Sequence, residues 1–255
     1  MFYTHTTFIG IDPTAGGRPF TYAALDHELR LLALGRGDMD EVLAFVAGQP
    51  AAYVAVCAPR CPNQGVMDRP EERERLSPPP RPGRWRNFRL AEYQLRLRNI
   101  SIPQTCANEQ DCPAWMRKGF ELFHRLDGLN YHPYPQDEKS HQSLEVYPHA
   151  CYTALLEHLP LPKHSLEGRL QRQLALFDCE LNIPDPMLIF EEITRHRILL
   201  GIFPLENLYS AAELDALVAA YTAWVAGTKP DQVTLLGHAE EGFLVLPVAG
   251  LNNRY

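Results

Sequence analysis

Long hydrophobic runs are missing from this chain. None approaches the about 20 apolar residues that a bilayer-spanning helix requires, so no membrane partner is expected. The first ten residues, MFYTHTTFIG, lack a basic segment leading into a signal core, and the expected location is the cytoplasm. The six cysteines, at 57, 61, 106, 112, 151 and 179, form no CxxC pair. In a chain of 255 residues they read as reduced thiols rather than a disulfide framework. Cys57-x3-Cys61 and Cys106-x5-Cys112, with His124, His132, His141 and His149 scattered after them, do not fit the usual spacings of structural zinc. There is no GxSxG elbow to support a serine nucleophile. A second glycine-rich phosphate loop is also missing, which counts against an actin-like nucleotide-binding site. No internal repeat is visible.

Positive charge is scarce overall but locally dense. The net charge of −7 argues against a general nucleic-acid binder. Yet between Arg60 and Arg98 there are ten arginines, no lysine and five acidic residues, a local +5, so the remainder carries −12. The same segment contains SPPPRPGRWRNFR, too rich in proline for a helix or a central strand. It reads as a long basic arm set into an acidic domain, and loops of this length are commonly functional. Arginine forks grip phosphate, and Trp85, Phe88 and Tyr93 supply stacking faces, so a nucleic-acid partner is one reading of the arm. The other is a solvated excursion whose arginines pair with the acidic body.

The patterning predicts alternating elements. TTFIGID is a continuous apolar stretch suited to a strand covered on both faces, and PFTYAALD with LRLLALG suggests a hairpin. DMDEVLAFVAGQ spaces its apolar residues for an amphipathic helix stopped at Gly48. AYVAVCAP is a further strand closed by proline, and SLEVYP another. Helices are expected in FRLAEYQLRLRN, CPAWMRKGFELFHRL, HACYTALLEHL, EGRLQRQLALFDC, PDPMLIFEEITRHRILLG and SAAELDALVAAYTAWVAG. QVTLLGH and GFLVLPV close the chain as two short strands. A hairpin followed by strands alternating with helices points to an α/β protein with a mixed sheet.

Three acids occupy suggestive positions. Asp12 ends the first strand, ahead of the small-residue turn PTAGG; it is either a turn residue holding its own backbone or a ligand aimed into a cleft. Glu145 lies in SLEVYP, and Asp215 lies in the last long helix beside Ala211, Ala212, Ala219 and Thr222, small residues that permit close approach to a sheet. Without a reason to converge, Glu145 reads as solvated and Asp215 as a helix-dipole partner.

The order GID on the first strand, VAVCAP on a central one, LEVYPHA after an insertion, GR…R in a helix and DALVAA near the end resembles one family. It is the group called domain of unknown function 429, predicted to be nuclease-like members of the ribonuclease H-like superfamily. The resemblance implies a three-layer α/β fold over residues 1–255, with a five-stranded mixed sheet between helices and its first three strands antiparallel. Residues 60–140 would be an inserted basic arm with helices. It further implies that Asp12, Glu145 and Asp215 converge as catalytic ligands of Mg²⁺ or Mn²⁺. Phosphodiester hydrolysis uses such hard cations to neutralise charge on the attacking and leaving oxygens. Arg89, Glu92, Arg169 and Arg172 are the candidate substrate-binding residues. One departure stands out: relatives usually have aspartate where VAVCAP places Cys57. A thiol is a soft ligand, so the implied alternatives are a nuclease with a weakened second metal site, or a relative that binds without cleaving. As a core residue, Cys57 is simply small and apolar.

Overall fold

The computed structural model describes residues 6–13, 19–81, 83 and 85–255. The turn read in residues 14–17, like Arg84 of the arm, lies outside them. Strands β1 (Thr6–Asp12), β2 (Phe20–Leu25), β3 (Leu31–Gly37), β4 (Ala51–Val56), β5 (His132–Pro133), β6 (His141–Glu145), β7 (Thr234–His238) and β8 (Gly242–Leu246) form one mixed sheet. Its order is β3-β2-β1-β4-β6-β8-β7, with β5 paired to β6 off this path. The first three strands are antiparallel, whereas β1, β4 and β6 run parallel. The sheet therefore has eight strands rather than the five implied by the resemblance. The closing hairpin, read from the sequence as two strands, does not stand apart: β8 joins β6 through the Glu145–Leu244 pair and extends the sheet.

Helices cover both faces. On one side lie α1 (Met39–Ala47) and α4 (Ala114–Gly128), packed over Ile9, Ile11, Val54 and Val56. On the other lie α5 (Pro148–Leu156), α6 (Leu166–Asp178) and α9 (Ala211–Thr228). Helix α1 begins at a capping box, Asp38 accepting from the Glu41 N–H while the Glu41 carboxylate accepts from the Asp38 N–H. The Ser210–Glu213 pair opens α9 in the same way.

Helix α9 is buried almost all round, because the sheet covers one side and α5 and α6 cover another. It lies against β1 at unusually close range. A Cβ on Gly10 would sit 2.0 Å from the Ala216 carbonyl oxygen, so only glycine allows this contact. Ala216, Ala219 and Ala220 form the complementary small face, which fixes where Asp215, the preceding residue, emerges.

The arm is folded. Its short α2 (Pro70–Glu74) and the helix α3 (Leu90–Leu97) enclose a small core of Val66, Met67, Leu76, Phe88, Leu90 and Tyr93. The stretch PDPMLIFEEITRHRILLG, expected as one helix, is two short ones, α7 (Leu188–Glu192) and α8 (Arg195–Leu199). The break falls where the Thr194 side chain accepts the Arg197 N–H and so caps a new helix instead of continuing the old one.

Candidate functional site

Two of the three acids meet. In the parallel register Ile11 pairs with Val56 and Val56 with Glu145, so these three share one face of the sheet, turned toward α1 and α4. The next residues along, Asp12 and Cys57, turn to the opposite face, beneath α9. Asp215 comes down onto them from α9. These residues line a cavity of about 650 Å³, completed by Tyr147, Trp115, Pro103, Lys163 and His164.

Lys163 dominates the electrostatics. Its Nζ donates to Asp215 Oδ2 at 2.8 Å. Burial works against the ammonium, but the ion pair with Asp215, helped by Asp12, outweighs it and raises the lysine pKa. The carboxyl of Asp12 is pushed up to about 7, first by burial and then by the negative charge of Asp215, with Lys163 pulling the other way. Cys57 is buried between them, its Sγ donating to the Asp215 carbonyl oxygen at 3.5 Å. Burial, and after it the two aspartates, push this thiol well up, so it stays protonated.

The position of Lys163 follows from local packing. A Cβ on Gly168, in the first turn of α6, would sit 2.0 Å from the Pro162 carbonyl oxygen. Ser165 caps α6 by accepting the Gly168 N–H at 3.0 Å. Arg172 reaches back along α6 to the Leu161 carbonyl at 2.7 Å. Segment 160–165 is thus clamped to the helix, with Lys163 held over the carboxylates.

Glu145 is not part of this cluster. On β6 the residue level with Asp12 and Cys57 is Val146, which belongs to the α9-side core. Glu145 points to the other face, where it accepts from Arg89 Nη1 at 3.0 Å, from Arg89 Nη2, and from the Arg60 N–H at 2.8 Å. Among the described residues, no three His, Cys, Asp or Glu side chains come together as a metal-binding group.

Most of the candidate substrate contacts are also committed elsewhere. Arg89 is 2% exposed and bracketed by Glu92 and Glu145, so it cannot reach a bound phosphate. Glu92 is buried as well and accepts from Thr105 and from the Arg89 N–H. Arg169 donates to the Tyr209 and Leu208 carbonyls, each at 2.8 Å. Arg172, buried on α6, borders a second cavity next to the first. In the arm, Arg69 pairs with Glu240, Arg75 with Glu72, and Arg73 stacks over Trp85. Arg81 and Arg86 are exposed and make no ion pair among the described residues.

A comparison with protein-family models matches residues 10–241 to the family described as protein of unknown function, DUF429. The chain belongs to the DUF429 family. No curated protein matches it. The matched span of this DUF429 chain includes Asp12, Cys57, Lys163 and Asp215, and therefore the whole cluster under α9. No helix of the described residues is long and apolar enough to cross a membrane.

Sequence reasoning missed Lys163. Its signal was faint but present: it is one of four lysines in the chain, and sits in PLPKHSLEGR between a proline pair and a helix-capping serine.

Proposed function

We propose that this chain is a ribonuclease H-like phosphodiester hydrolase acting on nucleic acid, with Asp12 and Asp215 holding one divalent cation, Mg²⁺ or Mn²⁺. The observation that carries this reading is the meeting of Asp12 and Asp215, from opposite ends of the chain, at the carboxyl ends of parallel strands. Ligands in open α/β sheets bind in that region. The run β3-β2-β1-β4-β6, antiparallel and then parallel, supports the ribonuclease H-like placement, with β8 and β7 as additions.

The donor set fits one hard cation. Mg²⁺ is commonly held by one or two carboxylates, its other positions going to water and substrate phosphate. The raised pKa of Asp12 marks a buried charge that the surrounding protein compensates incompletely. The protonated Cys57 thiol is no ligand for a hard ion, so the paired-metal arrangement is not adopted. A bound cation would neutralise phosphate oxygen charge and lower the pKa of a coordinated water. Lys163 adds a fixed positive charge beside the reacting phosphate. Tyr147 and Trp115 offer aromatic walls for a base. Arg81 and Arg86, rather than Arg89, are the arm's candidates for contacts to the strand.

The test is cleavage of a fluorescent single-stranded oligonucleotide with added Mn²⁺. Wild-type protein is expected to cleave and Asp12→Asn to lose the activity; equal rates would refute the proposal. The binding-only reading is favoured by one feature: Cys57 is a protonated thiol bonded to the α9 main chain at the position where relatives usually have aspartate. Under that reading wild-type protein binds the oligonucleotide without cleaving it, and Cys57→Asp gains cleavage.

A further inference from the structure

Beside the carboxylate pocket lies a second cavity of about 400 Å³, lined by Ser101, His149, Pro160–Pro162 and Arg172. Tyr147, Pro148, Lys163 and Asp215 line both cavities, so the two are continuous. We infer that this second cavity is a subsite for a phosphate group, recognised by Arg172, His149 and Lys163. Resting on the phosphodiester reading, it takes the phosphate next to the scissile one, which in a dinucleotide is the terminal phosphate.

The argument begins with Arg172. It is 2% exposed, as buried as Arg89. Arg89 has two carboxylates around it; Arg172 has no ion pair with any carboxylate among the described residues. Its Nη1 donates to the carbonyls of Leu161 and Gly168, at 2.7 and 2.8 Å, and its guanidinium lies 5.4 Å from the Tyr152 ring centre. Carbonyls and a ring face are weak compensation for a desolvated cation, and buried charges normally have a counter-ion. Nη1 is occupied, which leaves the rest of the guanidinium fork for a ligand of the cavity it borders. A tetrahedral oxyanion matches that fork.

Its neighbours point the same way. His149, in the first turn of α5, lines the cavity, and the charges of Arg172 and Lys163 reach it along with that of Asp215. The amino end of the nine-residue α5, which opens at Pro148, adds a positive dipole end and the His149 N–H. Asp215 is the acid of the cavity, and its charge is already met by Lys163. Lys163 and Asp215 offset each other, so Arg172 leaves this cavity with one uncompensated positive charge beside His149, which favours an anion. A phosphate there would be held by the same lysine that overlooks the reacting centre, linking recognition of the end group to the site of cleavage.

The test is isothermal titration in EDTA, with no divalent cation present. The probes are dithymidylate, dithymidylate phosphorylated at its 5′ or its 3′ end, and inorganic phosphate. Wild-type protein is expected to bind one of the end-phosphorylated forms about tenfold or more tightly than the plain dinucleotide, the scale of hydrogen bonds to a charged group. Arg172→Gln and His149→Gln should each erase that preference. Arg172→Gln removes bonds to two carbonyls, so if it fails to fold, His149→Gln decides the matter alone. No preference in the wild type, or a preference that survives His149→Gln, overturns the subsite. Tight binding of inorganic phosphate with no preference among dinucleotides would mean an isolated anion site and also overturns it. Asp12→Asn separates the two proposals: it should keep the preference while losing cleavage. If it keeps both, the hydrolase reading fails and the subsite stands.

Discussion

Replacing Asp12 by asparagine is expected to stabilise the protein, and to do so at alkaline but not at acid pH. In the folded chain the Asp12 carboxyl is pushed up to about 7 by burial and by Asp215, from an ordinary value of 3.8. Below that ordinary value both folded and unfolded states hold the proton. Between 3.8 and about 7 the folded state alone retains it, so stability falls as pH rises through this window and then levels off. Each pH unit is worth ~1.36 kcal/mol, which sets an upper limit of about 4 kcal/mol for the whole window. Asp12 is only partly buried and its cavity admits solvent, which reduces the effect to about 1–2 kcal/mol. Asparagine keeps the shape and removes the charge. At pH 3, below the ordinary value, the variant should match the wild type; at pH 8, in EDTA, its Tm should be higher by about 2–8 °C for a domain of this size. Circular dichroism melts at the two pH values measure this. Adding Mn²⁺ at pH 8 should raise the wild-type Tm and leave the variant's much less changed. A variant that is equally or less stable at pH 8, or that gains the same amount at pH 3, would refute the electrostatic reasoning.

Two further outcomes are expected from packing and pairing. Gly10→Ala places a Cβ against the α9 backbone, where neither β1 nor α9 can yield, and should cost about 3 kcal/mol or more in urea denaturation; a loss under about 1 kcal/mol would show that the helix is free to shift. Arg89→Met strands Glu92 and Glu145 in the interior and should cost about 3–5 kcal/mol, whereas Glu145→Gln should leave Mn²⁺ affinity unchanged in a calorimetric titration. A large drop in that affinity would return Glu145 to the metal site.

The positions of most elements were legible because their signals are local. The apolar run of TTFIGID, the capping box of Ser210 and Glu213, and the alternation of the closing strands each depend on residues within a few positions of one another. The single helix expected over 184–201 failed for an equally local reason, a threonine side chain that competes for a backbone N–H. The joining of the closing hairpin to the main sheet was not legible, since it rests on pairing between segments a hundred residues apart.

At the site the division is sharper. Local pattern placed one acid at the end of β1, another on the last long helix and a cysteine just past β4, and it marked the arm as rich in arginine. It could not determine which way Glu145 faces, because a shift of one residue in a strand reverses the side and register is set by the neighbouring strands. Nor could it place Lys163, which reaches Asp215 through the close contact of Gly168 with Pro162. A count of arginines likewise does not say which are exposed: Arg89 is locked between two carboxylates, while Arg172 is buried without one. Local propensity and charge are written along the chain, but convergence and ion pairing depend on distances that exist only once the sheet and its helices have packed.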